Sequence, residues 1–258
     1  MTPTRFWVSF GAVVLAVTAL LVLLTVVEPA LWWPLWGLML LSVAVGTYLL
    51  TSFHHQRAFH RIDLAAMRYW VVPLCLAGGG SLFGRAFLGG HYGIAGALAT
   101  AFGTIAVMYS QAVLSDGLPS GNDAVRLISN LGVYIAGFVL FAAVQSLDLP
   151  SPLGTLLLGA LGGALASELF HDQEIPAARQ GLYGALVAVL IAEISFAAGF
   201  LPWGKVLTGL VLLLAFYFLS GLIHNYLHRR LTRWVAAEFI GVTVVALALV
   251  YQFHGFGG

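Results

Sequence analysis

Apolar runs of about 20 residues alternate with short polar breaks along the whole chain. Nine such runs are read as candidate spans: 6–27, 31–52, 69–88, 91–114, 127–147, 151–170, 181–200, 204–225 and 234–254. None of them shows the strict alternation expected of β-barrel strands. A helix of this length crosses a hydrocarbon core of about 30 Å and satisfies its own backbone groups where lipid offers no partner. The pattern predicts an all-α, polytopic transmembrane bundle, read as a single integral membrane domain over 1–258. Pro29, Pro34, Pro150, Pro152 and Pro202 fall at or between runs, where a missing amide hydrogen costs little. The least regular run is 69–88, which holds Pro73, the triplet Gly78, Gly79 and Gly80, and Arg85. The first run exceeds the apolar region of a signal peptide, about 7–15 residues, and reads as a retained helix.

The polar breaks orient the bundle. With the N-terminus inside and the C-terminus outside, Arg5, Arg57, Arg61, Arg68, Arg126, Arg179, Arg229, Arg230 and Arg233 all fall on or beside the cytoplasmic face, as the positive-inside rule expects. Only Arg85 and Lys205 fall toward the other side. Trp7, Trp32, Trp33, Trp36, Trp70, Trp203 and Trp234 sit near run ends, in the manner of an aromatic belt. Arg68, Arg126, Arg179 and Arg233 open outward-going runs at intervals of 58, 53 and 54 residues. One reading of that spacing is a lone first helix followed by four helical hairpins; any alternating helical topology also produces such a period.

Composition agrees with the pattern and narrows the function classes. The chain is 60% hydrophobic and 8% charged, with a mean hydropathy of +0.97; a soluble domain carries about a quarter charged residues. Net charge is only +1, and topology accounts for the basic residues, so no nucleic-acid partner is expected. A single cysteine, Cys75, excludes an intramolecular disulfide and a CxxC motif. The longest connection, 53–68, has 16 residues. Any activity must therefore lie within the bundle or at its rims. One lysine beside ten arginines fits a GC-rich bacterial genome, and the expected location is a bacterial inner membrane.

Few residues carry candidate chemistry. Ionisable side chains inside a span are costly and mark function by default; Arg85, Glu193 and Glu238 qualify. Arg85 and Glu193 are expected to pair, since both sit deep in runs that start at the cytoplasmic rim. His54, His55, His60, His224 and His228 gather at that rim, and His224 and His228 share a helix face at i, i+4 spacing, as metal ligands do. With nearby carboxylates they form a candidate iron or zinc site. Integral membrane hydroxylases place histidine boxes at this depth, but no HxxHH box follows here. The bland alternative is that these histidines are interfacial residues with polar tips among the headgroups. Arg229, Arg230 and Arg233 are expected to contact anionic headgroups.

Small-residue steps at Gly159–Gly163, Ala160–Ala164, Gly93–Ala97–Ala101 and Gly184–Ala188 suit close helix packing. GxSxG, HExxH, a Walker A loop and GxGxxG are all absent. The reading is a non-catalytic scaffold or accessory subunit, or a small permease built around Arg85, Glu193 and a helix interrupted at 78–80. No cofactor is expected in either case. The alternative is a membrane-embedded, hydroxylase-like metalloenzyme using the rim histidines. Expected partners are membrane lipids and other membrane subunits or further copies of the chain.

Overall fold

A computed structural model describes residues 3–54, 68–115, 123–170 and 175–254. Among these residues the chain forms nine α-helices: α1 (Pro3–Leu23), α2 (Pro29–His54), α3 (Val71–Phe87), α4 (His91–Ser115), α5 (Asp123–Ser146), α6 (Ser151–Leu169), α7 (Ala177–Ala198), α8 (Lys205–Leu227) and α9 (Arg233–His254). Each candidate span coincides with one helix, and most ends agree within about four residues. The fold is an all-helical membrane bundle. Seven helices are long and apolar enough to cross a membrane, while the apolar stretches Val8–Leu23 and Val71–Phe87 are shorter. A 3₁₀ turn, Arg68–Trp70, leads into α3. Its rise of about 2 Å per residue lengthens a 17-residue helix that alone reaches only about 25 Å.

Local sequence explains the boundaries. Pro150 and Pro176 occupy the N-caps of α6 and α7, and Pro202 stands just before α8. Pro34 lies inside α2 and Pro73 in the first turn of α3. Between α8 and α9 the chain turns on Arg229, whose φ is +55°, while the Arg230 amide donates to the Asn225 carbonyl at 2.9 Å.

The chain divides into two compact units, Met1–Ala136 and Gly137–Gly258. The boundary falls within α5. In the first unit α1 packs on α2, α3 on α4, and α2 also meets α3 and α4. Their core gathers Val17, Leu21, Trp32, Met39, Val43 and Met108. Gln111 of α4 is buried and donates to Ser129 of α5 at 3.1 Å, so a side-chain bond joins these two helices. In the second unit α6 and α7 form the most intimate pair, α8 lies on α7, and α9 packs on α8. The strongest pairs of the first unit, α3–α4 and α1–α2, are not the hairpins that a lone first helix followed by four hairpins would give. Phe141 and Phe216 meet edge to face at the core, centroids 6.0 Å apart.

One expectation is corrected. The glycine triplet does not interrupt its helix: α3 runs unbroken from Val71 to Phe87 with Gly78, Gly79 and Gly80 buried. The glycines serve close approach. A Cβ on Gly80 would lie 2.5 Å from Thr100 of α4, and one on Gly78 would lie 3.4 Å from Trp36 and Leu40 of α2. Without lipid-excluding drive between helices, such contacts come from backbone proximity.

Candidate functional site

The first unit holds a cation–aromatic cluster at the end that the charge pattern places outside. Helix periodicity puts Trp32 and Trp36 on one side of α2, four residues apart, and their rings stack with centroids 6.1 Å apart. Trp33 meets both edge to face at 4.9 and 5.9 Å. Trp32 is only 2% exposed, and its Nε1 donates to the Leu24 carbonyl at 3.2 Å. Trp36 donates to the Ser81 hydroxyl of α3 at 2.9 Å, and Ser81 in turn donates to the Gly78 carbonyl at 2.9 Å. Arg85 lies in the last turn of α3. Its guanidinium carbon sits 4.5 Å from the Trp32 ring centroid, within the range of a cation–π contact. A cation there also faces the negative end of the α3 dipole. Arg85 is thus engaged by an aromatic face of its own unit, and its exposed head lies two residues from the helix end.

The second unit carries the candidate carboxylates. Glu193 stands sixteen residues into α7 and five before its end at Ala198, roughly 8 Å from that end at the helical rise. That is closer to the helix end than the sequence reading placed it, because α7 ends two residues before the expected span. Glu193 is exposed, on one stripe with Leu182, Leu186, Val189 and Phe196, all exposed. The opposite side of α7 meets α6 through Gly184 and Ala188. Glu238, five residues into α9, is exposed too. Lys205, the first residue of α8, makes an ion pair with Asp148 at 2.7 Å. Asp148 itself has φ of +48°, a conformation that aspartate and asparagine tolerate better than most residues.

His224 and His228 stand at the C-terminal end of α8. Their rings lie 4.3 Å apart and are tilted by 38°. Nδ1 of His228 is 2.8 Å from the His224 carbonyl; such a bond fixes which ring nitrogen turns outward, as in metal-ligating histidines. His54 ends α2, while His55 and His60 lie outside the described residues. Among the described residues no group of three or more histidine, cysteine, aspartate or glutamate side chains has metal-binding geometry. Arg229, Arg230 and Arg233 are all exposed around the α8–α9 turn, where they can reach headgroups.

A family model, DUF5656, described as a protein of unknown function, matches residues 21–253. The chain belongs to this family. Neither a curated protein nor a solved structure matches it. The DUF5656 match begins late in α1 and ends in α9, so it spans most of both units and takes in all the candidate residues above.

Two features of this DUF5656 chain escaped the sequence reading. Trp32 and Trp36 were expected in an interfacial belt with Trp33, yet Trp32 is core. The signal was available: tryptophans four apart on a helix share a face, and Trp33 is turned about 100° away from Trp32. The Lys205–Asp148 pair joins residues 57 apart, and no local pattern announces it.

Proposed function

We propose that this protein is a non-catalytic membrane subunit, a scaffold or accessory component that assembles with other membrane chains in a bacterial inner membrane. The observation that carries this reading is the direction of its carboxylates. Glu193 and Glu238 are exposed on helices whose neighbouring exposed residues are apolar. Ionisable side chains within spans normally face a bundle interior or a watery cavity; one turned outward is satisfied by a polar group on another chain. The exposure of α9 points the same way, since only 6% of its spanning window is buried. In native electrophoresis of gently solubilised membranes, the chain is expected well above the position of one 27.5 kDa polypeptide in its micelle. Migration as a single chain under several mild detergents would refute the reading.

A second reading rests on His224 and His228, whose close rings and backbone-anchored Nδ1 suit a bound iron or zinc. Under the subunit reading, elemental analysis of purified protein gives no stoichiometric metal. One equivalent of iron or zinc, lost when both histidines become alanine, would favour the enzyme instead.

A further inference from the structure

We infer that Arg85, braced on Trp32, is the gripping group of a site for the phosphate of a membrane lipid. The site lies in the first unit, where the last turn of α3 meets the start of α2 and leads into α4. It holds whether or not the chain assembles with others. The Arg85 guanidinium carbon stands over the Trp32 ring, 4.5 Å from its centroid. A cation–π contact uses no hydrogen bond, so it leaves the five N–H donors of the guanidinium, a rigid fork, unspent. Among the described residues no carboxylate pairs with Arg85 and no acceptor takes those donors. Glu28, in the turn before α2, is exposed and makes no ion pair with it. Arg85 is itself exposed, and its charge is permanent. A cation held in place with an unused fork is the arrangement that takes phosphate by two parallel bonds.

The turn beyond Arg85 adds to the same preference. Helix α4 starts at His91; the first amides of a helix have no acceptor within it and carry the positive end of its dipole. Gly90 turns the chain with φ of +56°. A Cβ added at Gly84, Gly89 or Gly90 would meet nothing within 4 Å, so the space over this turn is open to a ligand. Depth selects the carrier of the phosphate. Trp33, 54% exposed, marks the interface beside the site. Phe83 and Phe87 pair at 4.9 Å along the same end of α3, and Leu98 and Phe102 are exposed further along α4. A phosphodiester on acyl chains meets all of these at once, whereas free phosphate meets only the guanidinium and the turn.

The test uses the full chain in an uncharged detergent, with native mass spectrometry as the readout. It is titrated with phosphatidylglycerol, with diacylglycerol of the same chains, and with inorganic phosphate. One phosphatidylglycerol should be retained, while diacylglycerol, lacking the phosphate, and inorganic phosphate, lacking the chains, should each bind about tenfold more weakly or worse. Arg85→Gln should weaken phosphatidylglycerol about tenfold, because charge-assisted bonds are the strong ones. Arg85→Lys, a point charge without the fork, should fall between the two. Arg179→Gln, at an exposed arginine of the second unit, should match wild type. Equal affinity in wild type and Arg85→Gln would overturn the inference, as would an equal loss with Arg179→Gln or inorganic phosphate binding as tightly as the lipid. If Arg85→Gln does not fold, Arg85→Lys carries the comparison, and wild-type affinity there overturns the inference. Non-additive stability losses for Arg85→Ala combined with Glu193→Ala would do so too, by making Glu193 the partner of Arg85.

Discussion

Replacing Trp32 with alanine is expected to destabilise the first unit by about 3 kcal/mol or more, the usual cost of deleting a large aromatic core side chain. The residue is 2% exposed and joins three elements at once. Its ring stacks on Trp36, carries the Arg85 guanidinium, and its Nε1 donates to the Leu24 carbonyl at the end of α1. In a bilayer the lost term is mainly packing, because lipid is as apolar as the core; the voided contacts are not recovered by relaxation. Thermal unfolding in detergent should show Trp32→Ala far below wild type and Trp33→Ala, at a site 54% exposed, close to it. Trp32→Phe should lose the hydrogen bond, about 1 kcal/mol, and part of the ring's packing, and so fall between Trp32→Ala and wild type. A cycle of Trp32→Leu with Arg85→Ala should give a coupling of about 0.5–1 kcal/mol. Equally small losses at Trp32 and Trp33 would show that neither ring is structural.

What could be read in the sequence was axial. The lengths of apolar runs fix where helices begin and end, because membrane thickness demands them and proline marks their starts. That is why the nine runs coincide with nine helices, even at 69–88. What could not be read was azimuth. A run of apolar residues in lipid lacks the polar face that orients a helix in water, so the side that meets protein and the side that meets lipid look alike. Glu193 illustrates this. The sequence placed it inside a run, on a face with Val189 and Phe196, but did not reveal that this face is exposed. Gly78, Gly79 and Gly80 were equally ambiguous, since glycine permits a break and also permits contact. The close neighbours Thr100, Trp36 and Leu40 decide for contact. The histidine rim was legible only as a depth. His224 and His228 adjoin by helix periodicity, while the expected contribution of His55 and His60 falls outside the described residues.

Enlarging Gly163 is expected to break the α6–α7 hairpin. A Cβ at that position would sit 2.7 Å from the Cβ of Ala188 and 2.8 Å from the Gly184 carbonyl oxygen. Backbone atoms cannot swing aside as a flexible side chain does, so the helices themselves must separate. Gly159 repeats the arrangement one turn away, its Cβ falling 2.6 Å from the Ala188 carbonyl oxygen. Gly163→Ala should cost about 1–3 kcal/mol, the range for overpacking. Gly163→Leu should cost more and deplete the folded protein, since membrane helices associate by packing alone. Gly181 on α7 supplies the control. A Cβ there meets nothing within 4 Å, and alanine is the better helix former by about 1 kcal/mol. Gly181→Ala should therefore match or exceed wild type in thermal midpoint, while Gly184→Ala, whose Cβ would press on Ser167 and the Gly163 carbonyl, should fall below it. If Gly163→Leu and Gly181→Ala gave similar midpoints, α6 and α7 would not meet along this glycine face.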